Sequence, residues 1–80
     1  MPTLEEITEE VLQLAAKEFH VPREQLSPDD DIFEALQIES IEGLDLLSYI
    51  DTHFGIELPD YEVQSATSFR SLSARIKSRL

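Results

Sequence analysis

The part of this sequence that decides its fold is the stretch from residue 31 to residue 60, DIFEALQIESIEGLDLLSYIDTHFGIELPD. After Ser40, apolar residues recur at steps of three or four positions, which predicts an amphipathic helix over residues 41–54. Its apolar stripe consists of Ile41, Leu44, Leu47, Ile50 and Phe54. Ser40 is a preferred residue for the N-cap of this helix, and Gly55 suits the left-handed position that ends it. Pro59 then prevents the helix from continuing.

Two further helices are predicted on either side of this stretch. Thr3-Leu4-Glu5-Glu6 has the S/T-x-x-E form of a capping box, and the apolar spacing after it predicts a helix over residues 4–18. Val21-Pro22 stops that helix. Near the end of the chain, Ser68 is a candidate N-cap for a last helix. The apolar residues of this last helix are Phe69, Leu72, Ile76 and Leu80.

The segment between the first two helices, residues 20–39, has few helical cues and contains the turn-forming run Ser27-Pro28-Asp29-Asp30-Asp31. We expect a long connection, pinned to the core by scattered apolar side chains, in which residues 31–36 can form a short helical turn. Asp60 can cap another short turn at residues 60–64. The sequence therefore predicts an all-α fold, a small bundle of three main helices plus one short helix, with a long loop between helices one and two.

The composition restricts both size and partners. Eighty residues suffice for a single domain over residues 1–80 with one small core, and are too few for a deep cleft. The net charge of −11 disfavours nucleic acid and anionic membrane surfaces as partners, and favours a protein with a basic patch. All 17 acidic residues precede position 63, whereas residues 67–80 carry only basic charges. The absence of cysteine fits a reducing cytoplasm, and the sequence has neither an apolar leader nor a run long enough to span a membrane. We expect a free-standing protein that is cytoplasmic and monomeric.

Few residues offer catalytic chemistry. His20 and His53 are expected to be solvated surface residues. A serine triad needs its groups in contact, and a continuous helix would hold His53, 13 positions after Ser40, too far from the serine. The run Asp29-Asp30-Asp31 lacks the spacing of an EF-hand, so no metal site is predicted.

Ser40 is the exception, since a serine at a helix N-terminus either serves only as a cap or is well placed to carry a phosphate ester. Gly43, one turn later, leaves bare backbone that another group can approach closely.

Three segments together resemble the acyl carrier protein family. They are residues 31–41 (DIFEALQIESI), the helical positions Leu44 and Leu47, and residues 54–60 (FGIELPD). The family pattern is Gly-x-Asp-Ser-Leu at the serine and Phe-Gly-Ile-x-Ile-Pro-Asp after the following helix, and the resemblance extends over essentially the whole chain. It implies that Ser40 carries 4′-phosphopantetheine, transferred from coenzyme A by a phosphopantetheinyl transferase. The protein would then be a carrier of acyl or aminoacyl thioesters and not an enzyme.

The resemblance also implies how the carrier meets its partners. Acyl-loading and synthase enzymes would dock with basic patches on an acidic and apolar face along the second helix. This face consists of Glu39, Ile41, Glu42, Asp45 and Asp51. The core that would open to shelter an apolar chain, as in carriers of fatty chains, consists of Ile7, Val11, Phe33, Leu47, Ile50, Phe54 and Leu72.

Three positions depart from the family pattern: Gln37 replaces a glycine, Glu39 an aspartate and Ile41 a leucine. We therefore expect a specialised carrier, for a polyketide, secondary metabolite, lipid or aminoacyl group, rather than the main fatty-acid carrier. Two other interpretations remain. One is an acidic helical adaptor that binds a basic partner without any prosthetic group. The other, which is weaker, is a peptidyl or aryl carrier, a type that usually has Gly-Gly-x-Ser at the attachment point.

Overall fold

The computed structural model of this chain describes residues 2–80. Its five α-helices are α1 (Leu4–Glu18), α2 (Ile32–Leu36), α3 (Gly43–Phe54), α4 (Asp60–Gln64) and α5 (Phe69–Lys77). Short 3₁₀ turns lie at Arg23–Gln25 and Ser40–Glu42. The part of the chain that is described contains no β-strand. The predicted all-α class with three long helices is therefore confirmed, and the structure has two short α-helices, α2 and α4, where the bundle was predicted to have one.

Helix α1 begins at the predicted capping box. The Glu6 backbone N–H donates to Thr3 Oγ1 (3.1 Å), and the Thr3 N–H donates to Glu6 Oε1 (2.9 Å). These two bonds satisfy N–H groups that a helix start leaves free. The bond from the Thr3 backbone is also the main reason why the pKa of Glu6 is lowered. At the other end, α1 stops at Glu18 and His20 adopts a left-handed conformation with φ of 58°, so the predicted bounds are confirmed.

The core lies where α1 packs against α5 and α3. Its buried apolar residues come from every α-helix and from three loops. They are Ile7, Val11, Leu12, Ala15, Leu26, Ile32, Leu36, Leu46, Leu47, Ile50, Leu58, Val63, Ala66, Phe69, Leu72 and Ile76. Five of the seven predicted core residues belong to this set, whereas Phe33 and Phe54 are half-buried and pack against its edge.

The apolar stripe predicted after Ser40 is wrong at its start. Ile41 is 70% exposed and Leu44 is 41% exposed, whereas Leu46, which lies outside the stripe, is fully buried. Successive residues of an α-helix are about 100° apart, so each step of three residues falls about 60° short of a full turn. On a continuous helix, Ile41 and Ile50 would therefore point to opposite sides. The predicted positions are all apolar, but because they follow one another in steps of three they do not lie on one side of the helix.

The last helix begins as predicted and ends earlier. Ser68 Oγ accepts a hydrogen bond from the Ser71 N–H (3.0 Å), which is the expected N-cap contact. Because α5 ends at Lys77, Leu80 lies beyond the helix and is 43% exposed. Leu80 is therefore not part of the apolar face of α5, contrary to the prediction.

The connection between α1 and α3 is tied to the bundle on both sides. Arg23 forms a paired contact with Glu9, with Nη2 at 2.6 Å from Oε1 and Nε at 2.9 Å from Oε2. The hydrogen bond from Arg23 is the main reason why the pKa of Glu9 is lowered. Further along, the Arg70 N–H of α5 donates to the Pro28 carbonyl (2.9 Å). These contacts hold the connection against α1 and α5.

The acidic run within the connection has structural partners. Asp31 Oδ1 accepts two backbone N–H groups (2.9 and 3.1 Å) and so caps α2. Asp29 lies 3.3 Å from the Arg70 guanidinium, and Asp30 accepts a hydrogen bond from the Ser27 N–H (2.9 Å). Within residues 2–80 no group of three or more possible ligand side chains is arranged for a metal ion.

Candidate functional site

Ser40 lies at the protein surface, as the first residue of the 3₁₀ turn Ser40–Glu42. Glu39 precedes the turn with an extended backbone (φ −86°, ψ 165°), and α3 begins only at Gly43. The prediction that Ser40 is the N-cap of a helix over residues 41–54 is therefore wrong. Glu39 occupies the cap position of the 3₁₀ turn, whose tighter winding continues directly into α3, and Ser40 lies inside that winding.

The turn is held from within and from outside. Within the turn, Glu42 Oε1 accepts from the Glu39 N–H (3.0 Å), and the Gly43 N–H donates to the Ser40 carbonyl. From outside, the side-chain amide of Gln64, the last residue of α4, donates to the same Ser40 carbonyl (Nε2–O 2.8 Å). The backbone that presents the Ser40 hydroxyl is therefore fixed by its own turn and by a residue 24 positions away.

Gly43 is buried because Phe33 of α2 packs directly over it. A Cβ atom at position 43 would lie 2.9 Å from Phe33 Cε1, 3.3 Å from Phe33 Cζ and 3.4 Å from Gln64 Nε2. The bare backbone that the sequence analysis pointed out is thus occupied by a ring of this same chain. Phe33 and Gln64 support the Ser40 turn, and sequence reasoning gave neither of them that position. In the sequence, only Gly43 indicated such a close approach, and it did not identify the residue that approaches.

The predicted docking residues divide into two groups. Glu39, Ile41, Glu42 and Asp45 are exposed around the Ser40 turn and the first turn of α3. Asp51 is half-buried, and its Oδ1 accepts a hydrogen bond from the Leu58 N–H (3.1 Å). Asp51 therefore also holds the loop after α3, which ends at the left-handed Gly55 (φ 67°) as predicted.

Two exposed apolar side chains lie among these acidic residues. Ile41 belongs to the Ser40 turn and Leu44 to the first turn of α3, and both are among the large apolar residues that the fold leaves exposed. Together with Glu39, Glu42 and Asp45 they form a surface that is acidic and apolar, which we call the Ser40 face. Such a mixture suits a partner that offers basic groups around an apolar contact.

The two histidines lie at the surface, as predicted. His53 Nε2 is 3.6 Å from Glu10 Oε1, so this imidazole contacts α1. His20 is the left-handed residue just after α1. Neither histidine is hydrogen-bonded to the Ser40 turn, so the geometry does not form a serine–histidine pair for nucleophilic catalysis.

A small helical bundle with an exposed serine on the turn that leads into α3 offers a hydroxyl to which a group can be attached. In agreement, the family model described as "Phosphopantetheine attachment site" matches residues 9–76, which include Ser40. The chain is also similar to curated proteins named "Acyl carrier protein". The one from Rickettsia massiliae is 27% identical over 77 residues, which cover 96% of this chain and 86% of that protein. The one from Rickettsia canadensis is 24% identical over 79 residues, which cover 99% of this chain and 92% of that protein.

The chain therefore belongs to the acyl carrier protein family. Members of this family are carriers and not catalysts. None of the helices within residues 2–80 has the length and apolar character needed to cross a bilayer.

Proposed function

We propose that Ser40 carries a 4′-phosphopantetheine arm, transferred from coenzyme A by a phosphopantetheinyl transferase, and that the protein shuttles acyl or aminoacyl groups between enzymes. The observation that carries this proposal is the exposed position of Ser40 on a braced turn inside the matched family segment. Its neighbours Ile41 and Glu42 are exposed as well, so an ester on Oγ can extend into solvent without displacing a buried side chain. When bound, the arm would supply the thiol that holds the cargo as a thioester, and this chain has no cysteine to do so.

We further propose that partner enzymes dock on the Ser40 face. The charges of Glu39 and Asp45 and the exposed side chain of Ile41 support this surface, because a basic patch gains steering from the acids and burial from the apolar group. Glu42 contributes charge while it also closes the turn through its bond to Glu39. Asp51 has a weaker claim, since one of its carboxylate oxygens is used by the Leu58 N–H.

The cargo and setting belong to the same proposal. Gln37, Glu39 and Ile41 depart from the family pattern, which favours a specialised role in polyketide, other secondary-metabolite or lipid biosynthesis over the main fatty-acid pathway. The net charge of −11 opposes self-association, which favours a monomer. The cytoplasm remains the expected compartment.

The experiment that tests the proposal is the intact mass of the protein after incubation with coenzyme A and a broad-specificity phosphopantetheinyl transferase. We expect one phosphopantetheine adduct on the wild type and none on Ser40→Ala. Ser48→Ala is the matched control, because Ser48 is also an exposed serine, on α3, and this variant should gain the adduct. A wild type that stays unmodified, while the same transferase modifies another carrier, would overturn the proposal. The alternative of an unmodified acidic adaptor for a basic partner would then be favoured.

A further inference from the structure

The contact between α4 and the Ser40 turn is specific in its geometry. Gln64 Nε2 donates to the Ser40 carbonyl oxygen at 2.8 Å, and the same oxygen accepts the N–H of Gly43, which is shared with the Ile41 carbonyl. A carbonyl oxygen has two lone pairs, so the two donors use both of them. The Gly43 bond is part of the turn itself, whereas the Gln64 bond comes from another helix. Gln64 therefore fixes where the turn lies relative to the bundle.

Helix α4 can hold this position because α5 anchors it. A helix of five residues is not stable by itself, so its placement depends on tertiary contacts. Arg75 Nη1 donates to the Glu62 carbonyl (2.7 Å) and to Ser65 Oγ (2.6 Å). The Glu62 carboxylate, 15% exposed, also lies 3.3 Å from the Arg79 guanidinium. These contacts link α5 and the residue Arg79 after it to α4 and its C-cap Ser65, and Gln64 extends the link to the turn.

We propose that Gln64 is a positioning residue for phosphopantetheine attachment at Ser40. This inference rests on the function proposed above for Ser40. Gln64 acts through the Ser40 carbonyl, which is joined rigidly to the Cα atom that carries the hydroxyl. Without the amide donor, the turn spends part of its time away from the position that the transferase must meet. A binding partner that recognises only the positioned form then binds more weakly, in proportion to the population that is lost.

Two substitutions separate the hydrogen bond from the bulk of the side chain. Gln64→Met keeps the length and the helix propensity of the side chain and removes the donor. Gln64→Glu keeps the shape and places a carboxylate oxygen against the Ser40 carbonyl, which repels it. Gln13→Met is the matched control, because Gln13 is also an exposed glutamine whose amide donates one side-chain hydrogen bond, to Glu9 on α1 (3.0 Å). Gln64 is exposed, so these variants should fold.

The experiment measures two quantities on each variant. The first is hydrogen–deuterium exchange of the Gly43 amide in the protein without the arm, which reports opening of the turn. The second is the kcat and KM for transfer from coenzyme A by a broad-specificity transferase. We expect exchange to rise about threefold in Gln64→Met and about fivefold or more in Gln64→Glu, as for the loss of one exposed hydrogen bond. We expect KM to rise in the same order but by a smaller factor, because KM follows the remaining population of the positioned form. We expect kcat to stay unchanged and Gln13→Met to behave as the wild type.

Each other outcome overturns a stated claim. If neither exchange nor KM changes, the contact does not position the turn. If exchange rises alone, Gln64 supports the fold but does not position Ser40 for transfer. If KM rises alone, Gln64 contacts the transferase directly. If the wild type accepts no arm, the proposed function of Ser40 fails and this role fails with it, whereas a modified wild type with unaffected variants overturns only the role of Gln64.

Discussion

Replacing Gly43 with alanine sets two opposing effects against each other. In a helix interior, alanine is favoured over glycine by about 1 kcal/mol. The new methyl group, however, would lie 2.9 Å from Phe33 Cε1 and 3.3 Å from Phe33 Cζ, which is too close for either atom to stay in place. Forcing an extra carbon into a packed contact costs about 1–3 kcal/mol. Since Phe33 is half-buried and its ring is rigid, we expect the clash to prevail and Gly43→Ala to destabilise the protein by about 1 kcal/mol.

The effect of Gly43→Ala on the free energy of unfolding should change sign once the Phe33 ring is removed. Leucine at position 33 has neither the Cε1 nor the Cζ atom, so a methyl group at position 43 meets no clash there. In the Phe33→Leu background, Gly43→Ala should therefore stabilise the protein by about 0.5–1 kcal/mol through helix propensity alone. The double-mutant cycle then gives a coupling free energy of about 2 kcal/mol, within the range measured for residues in contact.

Urea unfolding followed by circular dichroism gives the four free energies of the cycle. Ser48→Ala on the exposed side of α3 is the control, because it measures the gain in helix propensity without a tertiary contact. The reasoning would be refuted if Gly43→Ala changed the stability equally in both backgrounds, since Phe33 would then not be the group that excludes a side chain at position 43.

Three further predictions concern the surface, one helix end and the pH dependence. Asp45→Lys should slow phosphopantetheine transfer by about threefold to tenfold at low ionic strength and flatten the salt dependence of the rate. Glu57 is an exposed acid in the loop after α3, so Glu57→Lys should have little effect. Equal rates for both variants would contradict docking on the Ser40 face. Gln37→Gly should raise the free energy of unfolding by about 0.5–1 kcal/mol, because Gln37 has a left-handed backbone (φ 56°) that glycine adopts without strain, and a loss of stability in urea would count against this. The hydrogen bond from Arg23, which lowers the pKa of Glu9 from its ordinary 4.5, should stabilise the protein above pH 4.5 and stop doing so as the pH falls through the lowered value. In thermal melts between about pH 3 and 6, the melting temperature should therefore fall less steeply with falling pH for Glu9→Gln than for the wild type. Identical profiles for the two proteins would exclude a contribution from this pair.

Local signals predicted both ends of α1, the end of α3 and the start of α5. The capping box at Thr3 and the cap at Ser68 act within three residues of their own positions, so the pattern alone identifies them. The left-handed end of α3 at Gly55 follows from the freedom of glycine in the same way. The attachment role of Ser40 rests on the family resemblance and stays a prediction.

Several features near Ser40 were beyond the reach of local patterns. A serine before an apolar run looks the same whether it caps an α-helix or begins a 3₁₀ turn, and the structure has the second arrangement. The apolar spacing after Ser40 did not distinguish Leu46, which is buried, from Leu44, which is exposed, because the packing of α3 against its neighbours selects the buried side. The backbone at Gln37 is left-handed, but the sequence gave no sign of this because the position holds a glutamine and not the glycine that such a conformation favours.

By itself, the sequence determined the class of fold, both ends of α1, the end of α3 and the start of α5, because the helical spacing and the caps depend on side chains within a few positions of one another. Only the tertiary structure decided how Ser40 is presented. Phe33 reaches Gly43 across a loop, and Gln64 reaches the Ser40 carbonyl from 24 positions away. Such contacts depend on how α2 and α4 pack against α3, and that packing is set by the whole core at once rather than by any local pattern.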